Sequence, residues 1–346
     1  MDNFSDNFKK NYITSTSDGF LQLTLLPTEK CNFRCVYCYE DFKIGKMSRD
    51  TITGIKSLLS KSAPELKKLM IQWFGGEPTL NRQGVIEISD HISTLQKKYG
   101  FQYMAHMTTN AYLLDQKMFK EFVALGINAY QITLDGIAEQ HNTTRKQVNG
   151  KETFDIIWQN LCSFQEITDK FKIVFRLHVM QNNLQSMLQL SQMIKKQFGL
   201  DSRYSSFIRN ISNLGGPVKN TVDKYVPNEK KNVDSLIDDM KKIMESKSNT
   251  PSKIQTKEPY ICYAASPRHL TIRANGGLAK CTIMFDDERN DIGRITADGS
   301  LQIDGEKFDF WTRGFASLNL KELACPKNNL PSLKPNRGKI IVVSSV

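Results

Sequence analysis

The sequence contains no apolar run of the ~18–20 residues that a membrane-spanning helix requires. Its first twenty residues, MDNFSDNFKKNYITSTSDGF, lack the charged-then-apolar order of a signal peptide. Both absences point to a cytoplasmic protein with reduced thiols and no membrane partner. No block of basic residues interleaved with aromatics occurs, so the formal charge of +11 does not make nucleic acid an expected partner. A scattered basic surface is the simpler reading, and an acidic peptide is the partner such a balance would suit. No internal repeat or low-complexity tract is present. The seven cysteines are odd in number and grouped, which argues against a disulfide framework.

Hydrophobic residues at 40% and charged residues at 24% are ordinary for a globular chain, and 346 residues suffice for a large domain plus a smaller module. FLQLTLLP (20–27) alternates and then turns apolar, predicting a strand that runs straight into a cysteine loop. Further strands are predicted over 68–74, 102–109, 128–136, 172–180 and 202–209. Helical spacing covers 47–63, with Ser48 as N-cap, then 82–98, 115–126 closed by Gly126, a stretch around 151–166, and 184–198. Six strands alternating with helices imply an α/β fold with a parallel sheet and helices outside it. In a barrel-like version of that fold, chemistry gathers on the loops after the strand C-termini. Cys31–Cys38, Gly75–Pro78, Thr108–Asn110 and Thr133–Gly136 all fall there. Residues 210–228 are rich in Gly, Pro and Asn and read as a linker or lid, followed by a polar helix around 229–247. After about residue 255 the pattern changes to short strands and turns, with HLTIRANGGLAKCTI predicted as a hairpin on an Asn-Gly-Gly turn.

Cys31-x3-Cys35-x2-Cys38 lets three thiolates converge from one loop on a single inorganic unit. A zinc site would need a fourth ligand, commonly from a second Cys/His pair, and the nearest downstream histidine is His91. A [4Fe–4S] cluster suits three thiolates better, because its fourth iron can stay open to an exogenous ligand. With an aromatic residue, Tyr37, before the last cysteine, the stretch resembles the signature of the radical S-adenosylmethionine (radical SAM) enzymes. That resemblance implies a partial (β/α)6 TIM-like barrel over 20–209, behind an N-terminal extension over 1–19. It also implies that SAM binds the open iron and that one-electron reduction releases a 5′-deoxyadenosyl radical, which abstracts hydrogen from the substrate. Gly75, Gly76 and Glu77 in GGEP match the family segment that receives the SAM amino group. Glycines permit close backbone approach, and Glu77 can accept from an ammonium. TTNA (108–111) matches the family's TTNG except at Ala111, which puts a left-handed turn there in question, and it contributes Asn110. TLDG (133–136) supplies the hydroxyl of Thr133, and HNTTR (141–145) resembles a stretch that follows. Arg145 there could meet a carboxylate or lie on the surface. Arg176, a charge inside the strand VFRLHV, must find a partner.

Cys262, Cys281 and Cys325 form a second set that resembles the SPASM/twitch auxiliary-cluster module of radical SAM peptide maturases. The full SPASM pattern carries seven cysteines and two extra clusters, so three imply the reduced, twitch-like form with one auxiliary [4Fe–4S] cluster. The module would occupy 255–346 as a small C-terminal α+β unit, joined to the barrel by a linker and bridging helix over 210–254. Its remaining ligand is open: substrate, a non-cysteine residue such as Asp286, or another cysteine. The alternative for this trio is buried structural thiols or zinc. Cys162, among apolar residues at helical spacing, reads as a core thiol.

The resemblance implies an oxidoreductase acting on a ribosomally made precursor peptide, forming a C–C, thioether or cyclophane-type cross-link. A flavodoxin- or ferredoxin-type reductant would supply electrons. A sulfatase-maturing enzyme would need the two-cluster module. A twitch enzyme acting on a nucleotide or sugar fits a single auxiliary cluster equally well, and an iron–sulfur electron-transfer or scaffold protein is the non-enzymatic alternative. No catalytic side chain is assigned; His106, His178, Tyr204 and Asp286 are candidate bases by position only.

Overall fold

The computed structural model describes residues 4–228, 230–244, 259–333 and 340–344. The chain opens with helix α1 (Asp6–Thr16), whose cap is Ser5, accepting from Phe8 N. Strand β1 (Phe20–Leu25) and the short β2 (Phe33–Cys35) flank the segment that enters the cysteine loop. Helix α2 (Arg49–Ser62) follows, capped as expected by Ser48, which accepts from Thr51 N at 3.1 Å. Then come β3 (Lys68–Trp73), α3 (Arg82–Tyr99), β4 (Gln102–Thr109), α4 (Gln116–Ala124) and β5 (Ile127–Leu134). Next are α5 (Ala138–Thr144), β6 (Arg145–Gln147), α6 (Phe154–Ser163), β7 (Lys172–Val179), α7 (Leu184–Phe198) and β8 (Tyr204–Asn210). Helix α8 (Lys230–Met244) leads toward β9 (His269–Ile272), β10 (Gly277–Ala279), β11 (Gly293–Ile295) and β12 (Leu301–Asp304). The last elements are α9 (Gly305–Ser317), α10 (Leu320–Ala324) and β13 (Ile340–Val343).

Two compact units divide the chain. The first comprises Met1–Lys30, Lys43–Ala105 and Gln255–Val346. In it β3 and β9 both pair parallel to β1, and the sheet continues antiparallel through β10, β11, β12 and β13. Leu21, Leu23 and Leu25 on one face of β1 and Phe20 and Thr24 on the other are buried, as expected for a strand covered on both faces. Helix α2 buries Ile52, Ile55, Leu58 and Leu59 on a single stripe. The second unit comprises Cys31–Phe42 and His106–Ile254. There β5, β7 and β8 run parallel, with Thr133 opposite Arg176 and His178 opposite Arg209. The architecture is α/β with a mostly parallel set of strands flanked by helices, and no closed barrel forms among the described strands.

Four local expectations change. The helix expected around 151–166 is present as α6 with a 3-10 turn over Phe164–Glu166, but the unexpected α5 and β6 precede it, with Cys35 and Arg145 partners in the antiparallel β2–β6 ribbon. Ala111 does take the left-handed conformation, φ 59°, despite its methyl group. The first nineteen residues hold helix α1, stabilised by Phe8 packing on Ala265 and Leu323 rather than by any local apolar stripe. Beyond 255, two helices join the expected strands. Helix α9 is anchored by Trp311, whose indole N–H donates to Arg289 O at 2.9 Å. Gly305 and Gly314 make that segment read as turn in sequence. The predicted hairpin is present as β9–β10, closed by Arg273 N to Gly277 O at 2.9 Å. Of the polar helix around 229–247, residues 229 and 245–247 lie outside the described residues, as do 334–339 of the C-terminal segment.

Candidate active site

The cysteine loop is organised within the second unit. Cys38 N donates to Cys35 O at 3.1 Å, closing a turn that brings these two cysteines together. Asn110, at the end of β4, donates to Asn32 Oδ1 at 2.8 Å and approaches Cys31 Sγ at 3.9 Å. Val36 N bonds Thr144 O, so the loop is pinned to the end of α5. All three cysteines are half-buried. Burial pushes the Cys35 thiol up, with Arg145 opposing, and pushes Cys38 up to about 12, with Cys35 adding to the effect. Cys35 and Cys38 are therefore neutral thiols until something positive binds among them.

Tyr37 points away from its neighbouring sulfurs into a buried network. Its hydroxyl donates to the Asp135 carboxylate, at 3.0 and 2.8 Å to the two oxygens. Thr144 Oγ1 donates to the same carboxylate at 2.8 Å, and Arg145 Nη1 donates to the Tyr37 oxygen at 2.8 Å. Arg145 is buried, not on the surface. Burial works against its charge, but Cys35, Tyr37 and Asp135 more than offset that and hold its pKa well above the ordinary value. Thr133 is buried one turn of strand before Asp135. Arg176 finds its partner in His178, donating from Nε to Nε2 at 2.6 Å. His178 Nδ1 lies 3.6 Å from Asp135 Oδ1. Burial, reinforced by Arg176, drives the His178 pKa well below normal, so the ring is neutral and an acceptor at Nε2.

The glycine segment is organised within the first unit. Gly76 N bonds Thr28 O at 3.3 Å and Glu77 N bonds Lys30 O at 3.0 Å, so this turn lies against the three residues that precede Cys31. Gly75 has φ +110°, and a Cβ there would lie 2.3 Å from Thr28 O. A Cβ on Gly76 would lie 2.4 Å from Lys30 O, so no side chain fits at either position. Glu77 is fully buried and its Oε1 accepts from Thr79 N and Thr79 Oγ1 at 3.1 and 2.7 Å.

The second cysteine set also comes together in the first unit. Burial raises the Cys262 pKa, with Cys325 adding to it, and pushes Cys281 up to about 11, with Cys262 and Cys325 contributing. The three thiols thus lie within electrostatic reach of one another, held by Cys262 N to Leu323 O and by Asn290, which accepts from Cys281 N and donates to Cys281 O. Asp286 is exposed, Cys162 sits half-buried on α6, Tyr204 donates to Leu161 O, and His106 is half-buried with its pKa lowered to about 4 by burial.

Three functional-looking groups escaped the sequence reading. Asp135 lay inside the TLDG stretch, but nothing local marked it as the hub of a network. Lys280 is fully buried beside Cys281, donating to Ser266 O and His269 O at 2.6 and 2.5 Å. Glu29, also buried, takes a two-pronged bond from Arg273, at 3.1 and 2.6 Å, and Arg273 stacks on Phe285. Their partners are more than 240 residues away for Glu29 and more than ten for Lys280, beyond any local pattern.

Residues 25–190 match the family model for the radical SAM superfamily. An uncharacterized protein of Methanocaldococcus jannaschii is 30% identical over 142 residues, 39% of this chain and 45% of that protein. A GTP 3′,8-cyclase of Haemophilus influenzae is 27% identical over 158 residues, 45% of this chain and 42% of the cyclase. The chain thus spans less than half the length of these curated relatives. Among solved structures, anSMEcpe with bound AdoMet superposes with TM-score 0.61 at 17% identity, over 84% of this chain and 80% of that one. Streptococcus suis SuiB bound to its precursor peptide SuiA superposes with TM-score 0.53 at 14% identity, over 84% and 65%. At those identities the likeness is one of fold.

Radical SAM enzymes work with a [4Fe–4S] cluster and SAM, and the donor set here fits both. Three cysteines share one loop, and the glycines at 75 and 76 let the turn pack closely on the main chain of Thr28 and Lys30 just before it. Among the described residues, no three His, Cys, Asp or Glu side chains converge as a single metal ion demands, whereas a four-iron cluster spreads its thiolates over separate irons. Also among the described residues, no helix is long and apolar enough to cross a membrane.

Proposed function

We propose that the chain is a peptide-maturing radical SAM oxidoreductase that removes hydrogen from a residue of a ribosomally made precursor, leading to a cross-link. What supports this reading is that Cys262, Cys281 and Cys325, a second thiol set beyond the one SAM chemistry requires, lie within electrostatic reach of one another. An auxiliary [4Fe–4S] cluster there would take the electron left on the substrate after hydrogen loss, or hold the substrate directly. Cys31, Cys35 and Cys38 would hold the SAM-binding cluster. When bound, that cluster and SAM together supply a carbon radical able to take hydrogen from an unactivated C–H bond, with a flavodoxin- or ferredoxin-type protein as electron donor.

The chain's own residues bind, orient and exclude water. Gly75 and Gly76 would let the SAM amino group approach main chain, with Glu77 supplying negative charge. Tyr37, Asn110 and Thr133 would border the nucleoside and methionine portions. Arg145, whose charge its neighbours hold in place, would face the SAM carboxylate. The preorganised Tyr37–Asp135–Arg145 network costs no reorganisation when a charged ligand arrives.

Two steps test the reading. The anaerobically reconstituted chain with dithionite and SAM is expected to form 5′-deoxyadenosine. Co-expression with a short reading frame neighbouring its gene is expected to yield a precursor lighter by two hydrogens. Formation of 5′-deoxyadenosine that depends on GTP, with every peptide unchanged, would replace this reading by the small-molecule one, which the 27% identity to a GTP 3′,8-cyclase favours.

A further inference from the structure

The open polar face of β7 and β8 carries more positive charge than the site itself consumes. On β7, Arg176 and His178 are two residues apart and share a face; on β8, Phe207 and Arg209 stand opposite them in register. Arg176 is half-buried and Arg209 is exposed. The two guanidiniums repel each other, yet among the described residues neither forms an ion pair. Asp135, the carboxylate nearest His178, is already engaged by the Tyr37 and Thr144 hydroxyls and by the charge of Arg145. His178 offers no negative charge either; it accepts from Arg176 Nε and so fixes the plane of that guanidinium, while its terminal N–H groups have no hydrogen-bond partner among the described residues. A second polar atom is under-satisfied beside them: His178 Nδ1, in a side chain 10% exposed, has no hydrogen bond among the described residues, with Asp135 Oδ1 at 3.6 Å.

We propose that Arg176 and Arg209 form an oxyanion subsite of the substrate pocket in the second unit, and that the substrate residue placed there is an acidic one, Glu or Asp. The inference rests on the peptide reading and deepens it. Two guanidiniums at diagonal positions of neighbouring strands suit a carboxylate, which can accept from both, and a fixed Arg176 loses little freedom on binding. Arg209, exposed on the last strand of its sheet, would make the first contact, and Arg176 would receive the anion as it settles. The chain's +11 charge would draw an acidic segment toward this face without selecting it; selection comes from the pair.

The test uses the full reconstituted chain with SAM bound. The probes are rhodamine-labelled acetyl-hexaglutamate and acetyl-hexaglutamine, read by anisotropy, with GTP as a competing oxyanion. Wild type is expected to bind hexaglutamate about tenfold or more tighter than hexaglutamine. Arg209→Gln should erase most of that ratio while SAM affinity stays within about twofold, and Arg209→Lys should recover only part of it. Lys117→Gln, on exposed α4, removes one charge elsewhere and should leave the ratio intact. Visible absorbance of the cluster confirms that each variant is assembled. An unchanged glutamate-to-glutamine ratio in Arg209→Gln overturns the subsite and leaves the peptide reading standing. Loss of SAM affinity with the ratio intact makes the arginines cofactor contacts, which also overturns it. Displacement of hexaglutamate by GTP, with GTP affinity falling in Arg209→Gln, assigns the oxyanion to a nucleotide phosphate and overturns both readings.

Discussion

The Tyr37 hydroxyl sits 2.8 Å from Asp135 Oδ2, joining a residue in the middle of the cysteine loop to the end of a strand 98 residues later. Arg145 donates to the same phenol oxygen, so one side chain links a buried acid to a buried base. The loop's shape is therefore set by the fold rather than by what its thiols bind.

Breaking that network should be costly in proportion to the charge left unpaired. Asp135→Asn keeps the volume but strands buried Arg145, and should destabilise by about 3–5 kcal/mol. Tyr37→Phe removes one hydroxyl while Thr144 still donates to Asp135, and should cost about 1–3 kcal/mol. Urea midpoints measure both. Equal, sub-kilocalorie losses in the two variants would mean the network carries no buried charge.

Acid should destabilise the fold earlier than carboxylate titration alone would. His141, His178 and His269 are all buried, and burial drives each pKa well below the unfolded value near 6.5. A base with a depressed folded pKa binds fewer protons in the native state, so its contribution is complete above about pH 6.5 and is lost as pH falls below it. Each such ring contributes a slope of up to about 1.4 kcal/mol per pH unit. Chemical denaturation at pH 7.5 and 5.5 should show a marked drop, and His269→Gln should shallow it. A flat profile between those values would contradict the buried, neutral assignment.

Gly76→Ala should separate crowding from ordinary glycine strain. Its Cβ would meet Lys30 main chain, at 2.4 Å from O and 2.6 Å from C, so backbone must move immediately before Cys31. SAM affinity should fall about tenfold or more, together with about 1–3 kcal/mol of stability. Gly100→Ala is the control: φ is +76° but nothing lies within 4 Å of the new carbon. It should cost about 1–2 kcal/mol through strain and leave SAM affinity unchanged. Equilibrium dialysis with labelled SAM decides between them.

Ala111→Gly should reverse the usual sign of a core alanine deletion. With φ 59° in the left-handed region, Ala111 stores about 1–2 kcal/mol that glycine would release, against about 0.5–1 kcal/mol of added chain entropy. The variant should be unchanged or up to about 1 kcal/mol more stable. A loss exceeding that amount would show the methyl group's packing to outweigh the strain.

The strand–helix alternation and the loop carrying the chemistry were legible in sequence because period and turn residues act locally. Ser48 capped the predicted helix, and Gly126 at φ 83° closed another. What stayed hidden was set by distant pairing. The residues after Gly136 became α5 and β6 because Arg145 is drawn to Cys35 across the β2–β6 ribbon. Helix α1 has one fully buried side chain, Phe8, and its partners lie near residues 265 and 323. Arg145 read equally as surface or site until Tyr37 and Asp135 enclosed it. Nothing local in the sequence marks Lys280, next to Cys281, and only the fold brings the carbonyls of Ser266 and His269 to its ammonium.

The two cysteine sets make separable predictions about iron. Cys31, Cys35 and Cys38 lie in the second unit, and Cys262, Cys281 and Cys325 in the first. If each trio holds its own [4Fe–4S] cluster, Cys281→Ala should lower bound iron by about four atoms per chain while leaving a reducible cluster that still cleaves SAM to 5′-deoxyadenosine. A Cys31→Ala, Cys35→Ala, Cys38→Ala triple variant should lose a similar amount but retain no SAM cleavage. Cys162→Ala should change neither, because that thiol sits half-buried on α6. Iron and sulfide assays with electron paramagnetic resonance of the dithionite-reduced protein provide the readout. If wild type already binds only about four irons, and Cys281→Ala keeps them all, the second trio is a structural cluster of thiols. The peptide reading would then lose the observation that carries it, while the radical SAM assignment of residues 25–190 would stand.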